Sequence, residues 1–286
     1  MTLPAAGGLR RWVSCADDFA IDRGAIDGIL ELIARGRLTA TSCLVDAPAW
    51  PAAARQLPAA GAAVDIGLHL NLTQAFRRGA PAVWPLGELI VRSATGLLPR
   101  AAVRAAIRRQ LDAFEDAVGR RPDYIDGHQH VHQFAGVRHS LIDELQQRYA
   151  GAPPWLRSTR PPAPVADGKA RGICLLGDKG LRTGARAAGI PVSDYLVGVY
   201  DFAARTAPAQ AAYRQRLQSW LQHGPQGSVF MCHPAQEAPA TDPIALARIM
   251  EYRTLASDTF GAALQRAGVA LVTGTQLFAP LRAGPS

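Results

Sequence analysis

Between residues 124 and 132 the chain reads Tyr124-Ile125-Asp126-Gly127-His128-Gln129-His130-Val131-His132, three imidazoles and a carboxylate behind a short apolar entry. Neutral imidazole is the commonest protein ligand for transition metals, so the stretch is a candidate edge of a metal site. If it is extended, His128, His130 and His132 fall on one face, because a strand repeats every second residue. One ion rarely takes three ligands from so short a run, which leaves at least one histidine to support a neighbour or face a substrate. The other ligands and proton carriers must come from elsewhere. Asp17 and Asp18 end an apolar run that starts at Trp12, His69 lies near the end of another such run, Arg157 follows a third, and His233-Pro234 closes a fourth.

One carboxylate and two imidazoles leave coordination positions open for water and substrate. Asp18, His69 and one of the clustered histidines make such a set. A bound ion would lower the pKa of a water and polarise a carbonyl while a nearby carboxylate takes the proton. Asp17 is the candidate base. Successive residues of a strict strand point oppositely, so both acids reach one site only if the chain has left the strand at Asp17. Expelling an amine or alkoxide needs an acid on the other side of the bond, and His233 is the candidate. Arg157 has two readings, a partner that holds Asp17 ionised or an exposed ion pair.

The elements that must position these groups alternate. Strands are predicted at 12–16, 38–45, 64–70, 124–132, 155–158, 195–199, 228–232 and 269–273. Helices are predicted at 22–35, 48–57, 101–118, 137–149, 181–188 and 209–222, with one or more over 244–266. Residues 173–176 read as strand or helix start. Residues 73–99, rich in Pro and Gly, read as an irregular excursion and a possible lid. Strand-helix alternation calls for a mainly parallel sheet with helices outside, open or barrelled. The barrel explains more, since every polar residue singled out above then falls at a carboxyl strand end, around one mouth.

A chain of 286 residues suits one α/β domain over 1–286. The formal charge is +8, but the basic residues are scattered and only Lys169 and Lys179 are lysines, a pattern of coding bias that argues against a nucleic-acid partner. The four cysteines form no CxxC pair and read as free thiols in a reducing compartment. No leader-like start and no window near the roughly 20 apolar residues of a membrane span is found, so a cytoplasmic location is expected. A homodimer is an allowed assembly.

Taken together, Ala16-Asp17-Asp18-Phe19, Gly67-Leu68-His69-Leu70-Asn71-Leu72-Thr73, Asp126-Gly127-His128-Gln129-His130-Val131-His132 and Met231-Cys232-His233-Pro234-Ala235 resemble the YdjC-like carbohydrate deacetylases. That family includes the chitooligosaccharide deacetylases and a hopanoid-biosynthesis-associated branch. The resemblance implies a distorted (β/α) TIM-like barrel related to polysaccharide deacetylases, a divalent metal often described as Mg²⁺, and removal of an acetyl group from an N-acetylated sugar or glycolipid precursor. It implies Asp17 as base, Asp18, His69 and His128 as metal ligands and His233 as acid, with His130 and His132 in support. Zn²⁺ is also chemically at ease with a His-His-Asp set. Two departures stand out: Ala20 where the family usually has Gly, and Gln129 where it often has His. Phe76, Trp84 and Trp155 are candidates for stacking on a pyranose ring. The rival readings are a metal-dependent phosphoesterase or amidohydrolase, which usually needs more carboxylates and often a second ion, and a non-catalytic carbohydrate-binding protein.

Overall fold

The computed structural model describes residues 8–59, 62–76, 83–202 and 206–278. β1 (Arg10–Phe19) leads through α1 (Arg23–Ala34), β2 (Ala40–Cys43) and α2 (Trp50–Ala54) to β3 (Asp65–Leu70). Next come α3 (Leu86–Ala94), α4 (Arg100–Val118), β4 (Tyr124–Gly127), a 3-10 turn over His128–Gln133 and α5 (Ala135–Arg148). β5 (Trp155–Leu156), α6 (Gly168–Leu175), α7 (Asp178–Ala187) and β6 (Tyr195–Val197) follow. The chain then forms α8 (Ala207–His223), β7 (Ser228–Cys232), α9 (Ala245–Ala256), α10 (Asp258–Arg266), β8 (Val269–Leu271) and α11 (Gly274–Phe278).

The strands pair in parallel in the order β5-β4-β3-β2-β1-β7-β6, with β8 beside the start of β1. The two ends of the sheet curl towards each other. Leu156 of β5 bridges Val192, just ahead of β6, with Leu156 N donating to Pro191 O at 2.8 Å and Ser193 N donating to Leu156 O at 2.9 Å. The result is the distorted (β/α) barrel that the alternation predicts. β1 lies at its centre, and every residue from Trp12 to Phe19 is buried, as befits a strand covered on both faces.

Local sequence explains the elements that frame the mouth. On α4 the buried Val103, Ile107, Leu111 and Phe114 keep helical spacing, and Gly119 ends the helix at φ 75, where a side chain would be strained. Gly67 serves close packing instead: a Cβ there would stand 2.5 Å from the Tyr124 ring. Its absence lets β3 lie against β4 in the register that sets His69 opposite Asp126.

Three expectations change. The excursion at 73–99 is not wholly irregular, because Pro85 precedes α3, whose Leu89 is buried in the core; residues 77–82 lie outside the described residues. Residues 173–175 are the end of helix α6, not strand. The histidine run is not a strand beyond Gly127, since Gln129 (φ 52) and His130 (φ 60) turn left-handed and the three histidines share no strand face. Among the described residues no helix is long and apolar enough to cross a membrane.

Candidate metal centre and active site

β1 carries its two acids to one place by a bulge. Ala16 pairs with Thr41 and Phe19 with Cys43, so the segment holds one residue more than its neighbour, and Asp18 sits at φ 65. The chain does not leave the strand at Asp17 as expected, because β1 runs on to Phe19; the extra residue of the bulge, not a strand end, turns both acids to one site. Ala20 is also left-handed, at φ 77, a conformation that glycine adopts without the steric cost of a Cβ.

Asp18 Oδ1 lies 3.3 Å from His69 Nε2 and 3.1 Å from His128 Nδ1. Each of these three residues offers one donor atom, all within 4.8 Å of one another. One oxygen and two nitrogens at that spacing suit a single divalent ion. The surroundings fit as well. His69 Nδ1 lies 2.6 Å from Asp126 Oδ1, the carboxylate-histidine pairing that orients a ligand ring and leaves Nε2 for the ion. In the metal-free protein burial disfavours the His69 cation, but Asp126 and Asp17 outweigh burial and its pKa is pushed up to about 10.

Asp17 faces a different cation. Arg157 Nη1 and Nη2 grip its two oxygens at 2.5 and 2.7 Å, and Nη1 also lies 2.8 Å from Asp126 Oδ2. Ser42 Oγ stands between the acids, 2.9 Å from Asp126 Oδ2 and 3.3 Å from Asp17 Oδ1. Of the two readings of Arg157 the exposed ion pair is wrong, for its side chain is fully buried. Burial pushes the Asp17 carboxyl up, but Arg157 and then His69 hold it well below the usual carboxylate range. Cys15, Asp17 and Asp126 also cluster as tightly as metal ligands do. That cluster already holds a cation, because Arg157 Nη1 lies within 3.5 Å of Cys15 Sγ as well.

His233 closes the opposite side, with Nε2 3.9 Å from Asp17 Oδ2 and its ring edge-on to Phe202 at 5.1 Å. Its backbone N–H donates to Glu251, and its Nδ1 is buried without a hydrogen-bond partner. Burial lowers its pKa to about 4 despite Asp18 and Asp17. His132 is structural: its Nε2–H donates to the Arg157 carbonyl at 2.8 Å and so ties the turn to the end of β5. His130 lines the cavity instead, with a buried and unpartnered Nδ1. Asp17, Asp18, His128 and His233 all line one cavity of about 930 Å³.

Residues 12–266 match the family described as YdjC-like protein. The chain belongs to that family. Its relatives include a carbohydrate deacetylase of Homo sapiens, 35% identical over 150 residues, which are 48% of this chain and 45% of the relative. A chitooligosaccharide deacetylase of Proteus mirabilis is 32% identical over 146 residues, 46% of this chain and 54% of the relative. The chain thus spans about half the length of these relatives. In fold it resembles a crystal structure from Enterococcus faecalis V583 for which cellobiose-phosphate cleavage has been suggested. That likeness has a TM-score of 0.66 at 21% identity over 95% of this chain and all of the other.

In this YdjC-like chain the six residues singled out from sequence converge on one mouth. Of the aromatic candidates, Phe76 lines the cavity, while Trp155 is buried and stacks on Tyr124 at 4.4 Å, away from it. Sequence reasoning missed Arg248, Ser42 and Glu251. Arg248 Nη2 bonds Asp18 Oδ2 at 2.7 Å, and Glu251 accepts from the Tyr200 hydroxyl at 2.7 Å besides the His233 backbone. Arg248 and Glu251 sit three apart on α9, on the face that buries Ala247, Met250 and Leu255. Two charges on an otherwise apolar helix face were the available signal.

Proposed function

We propose that this protein is a metal-dependent hydrolase that removes the N-acetyl group from an acetylated amino sugar or sugar conjugate. The observation that carries the proposal is a three-donor metal set, two of whose members line one cavity, beside a carboxylate held ionised and an imidazole that line it too. Asp18, His69 and His128 would hold the ion, Mg²⁺ or Zn²⁺. When bound, the ion supplies Lewis-acid polarisation of the acyl oxygen and lowers the pKa of an attacking water.

The chain's own residues do the rest. Asp17, kept as a carboxylate by Arg157, accepts the proton that the attacking water releases. Because Arg157 makes it a weak base, it passes that proton on readily. His233 Nε2, 3.9 Å away and neutral at rest, is placed to take the proton and deliver it to the departing amine. Arg157 also bridges Asp17 and Asp126, and Asp126 in turn orients the His69 ring. A two-ion phosphoesterase fits less well, because the second acidic cluster is filled by a guanidinium. The free cysteines support a reducing, cytoplasmic setting.

The test is acetate release from chitobiose derivatives and other N-acetylglucosamine conjugates with divalent metal supplied. His69→Ala and His128→Ala are each expected to lose bound metal. Asp17→Asn is expected to keep metal and lose turnover by about 10²- to 10⁴-fold, the usual contribution of a positioned base. No acetate from any such conjugate, or full metal content in both histidine variants, overturns the assignment.

A further inference from the structure

We propose that Arg248 is a substrate-contacting donor of this site, its free Nη1–H hydrogen-bonding the acyl oxygen of the scissile acetamide; this rests on the deacetylase reading above. Arg248 projects from α9 and is 2% exposed, and it lines the cavity beside Asp17, Asp18 and His233. Two of its nitrogens are committed: Nη2 to Asp18 Oδ2 at 2.7 Å and Nε to Asp242 Oδ2 at 2.6 Å. The third, Nη1, is buried with no hydrogen-bond partner. A buried N–H without an acceptor is costly, and such groups in native proteins call for an explanation. Here the explanation is an acceptor that arrives with the ligand and displaces the neighbouring atoms that otherwise close Nη1 off.

Charge and placement select that acceptor. Asp18 and Asp242 already match the guanidinium, so a further anion would meet two carboxylates at close range. A neutral oxygen, carbonyl or hydroxyl, would not. The acyl carbon must lie where Asp17 can direct a water at it, and the leaving nitrogen must face His233. The acyl oxygen then falls towards Asp18, whose outer oxygen Arg248 grips. As the carbonyl becomes tetrahedral, negative charge builds on that oxygen and the bond from Nη1–H strengthens. Arg248 stays protonated throughout and transfers no proton. It acts as a fixed dipole and charge, and removing one such donor typically lowers kcat by about 10²- to 10³-fold.

The test compares Arg248→Lys with the wild type. Lysine keeps a cation on Asp18 but lacks the fork that reaches Asp18, Asp242 and a third acceptor together. The expected result is a loss of kcat of about 100-fold or more, with Co²⁺ affinity, read from its visible absorption, unchanged. A kcat equal to wild type overturns the proposal, and so does a loss of kcat that metal loss alone accounts for, the signature of a residue that only positions Asp18. A second readout needs no variant and no metal: the ¹⁵N resonance of the Arg248 side chain is expected to shift when N-acetylglucosamine is added to the metal-free protein. If the wild type releases no acetate, the deacetylase reading fails on its own, and this resonance decides the donor role separately. A shift sustains it and no shift ends it.

Discussion

Two regions meet at the same cavity, which Asp17 lines from one and His128, His130 and His233 from the other, and they are built on opposite principles. The strand ends of β1, β3, β4 and β5 carry Asp17, His69, Asp126 and Arg157, buried and bonded to one another at 2.5 to 2.8 Å. The turn after β4 and the end of β7 carry His128, His130, His132 and His233; the turn shares left-handed backbone with the end of β1 at Asp18 and Ala20, but here the side chains are left partly unbonded. Gln129 and His130 are consecutive left-handed residues, and His130, His132 and His233 each bury an Nδ1 with no partner. Strained conformations of this kind cost about 1–3 kcal/mol each and persist only where the surroundings over-determine them. The strand ends thus fix where charge sits, while His130 and His233 bring to the cavity imidazoles with a nitrogen left unbonded.

The sharpest way to break that contrast is to empty the strand-end network of its cation. Arg157→Met leaves the Asp17 and Asp126 carboxylates buried and adjacent with only the His69 imidazolium as counter-charge. Removing one partner of a buried pair typically costs about 3–5 kcal/mol. Urea unfolding of the metal-free protein is the measurement. A loss below about 1 kcal/mol would show that water reaches the two acids and that the network is not the buried unit described.

Much of this was legible in the residues and some was not, for physical reasons. Strand-helix alternation specifies the barrel because period-2 and period-3.6 patterns are local, and α4 follows its apolar stripe to within one residue of the expected start. The six candidate residues were legible because they lie at or just beyond strand ends, where barrels place chemistry. The turn was not: alternate histidines imitate a strand, and only tertiary contacts such as His132 Nε2 to the Arg157 carbonyl override that pattern. Helix α3 was hidden by the prolines and glycines around it. Arg248 and Glu251 were hidden because a charge on a helix usually marks a solvated face, and their partners lie 230 and 18 residues away in the chain.

Glu251 offers a second test, since it joins the histidine side to the helix behind it. Burial pushes its pKa up to about 7, opposed by its bonds from the His233 backbone and Tyr200. A carboxyl whose folded pKa lies above its unfolded value of 4.5 contributes stability that is full below pH 4.5 and is lost as pH rises through 7. His233 runs the other way. Its folded pKa of about 4 lies below 6.5, so its contribution is lost as pH falls from 6.5 towards 4. Over the shared window the two slopes oppose each other. Glu251→Gln keeps an acceptor and removes one of them, so the stability of wild type minus that of the variant is expected to fall as pH rises from about 4.5 to 7. The limiting slope for one proton is about 1.4 kcal/mol per pH unit. A difference that is flat across that range would mean that Glu251 stays ionised when folded.

The smallest expected effect has the opposite sign to the first and therefore tests the contrast most directly. His130→Gly removes a side chain from a left-handed position and deletes a buried Nδ1 that bonds nothing. Glycine adopts φ near 60° freely, which relieves about 1–2 kcal/mol, offset in part by the greater freedom of glycine in the unfolded chain. A net gain of about 1 kcal/mol is expected, read as a raised urea midpoint at unchanged slope, together with unchanged Co²⁺ affinity and a raised KM. Stability gained where substrate binding is lost is the behaviour of a position strained for a ligand. If the variant is instead destabilised, His130 makes contacts that repay its backbone, and the turn is ordinary structure no different in kind from the strand ends beside it.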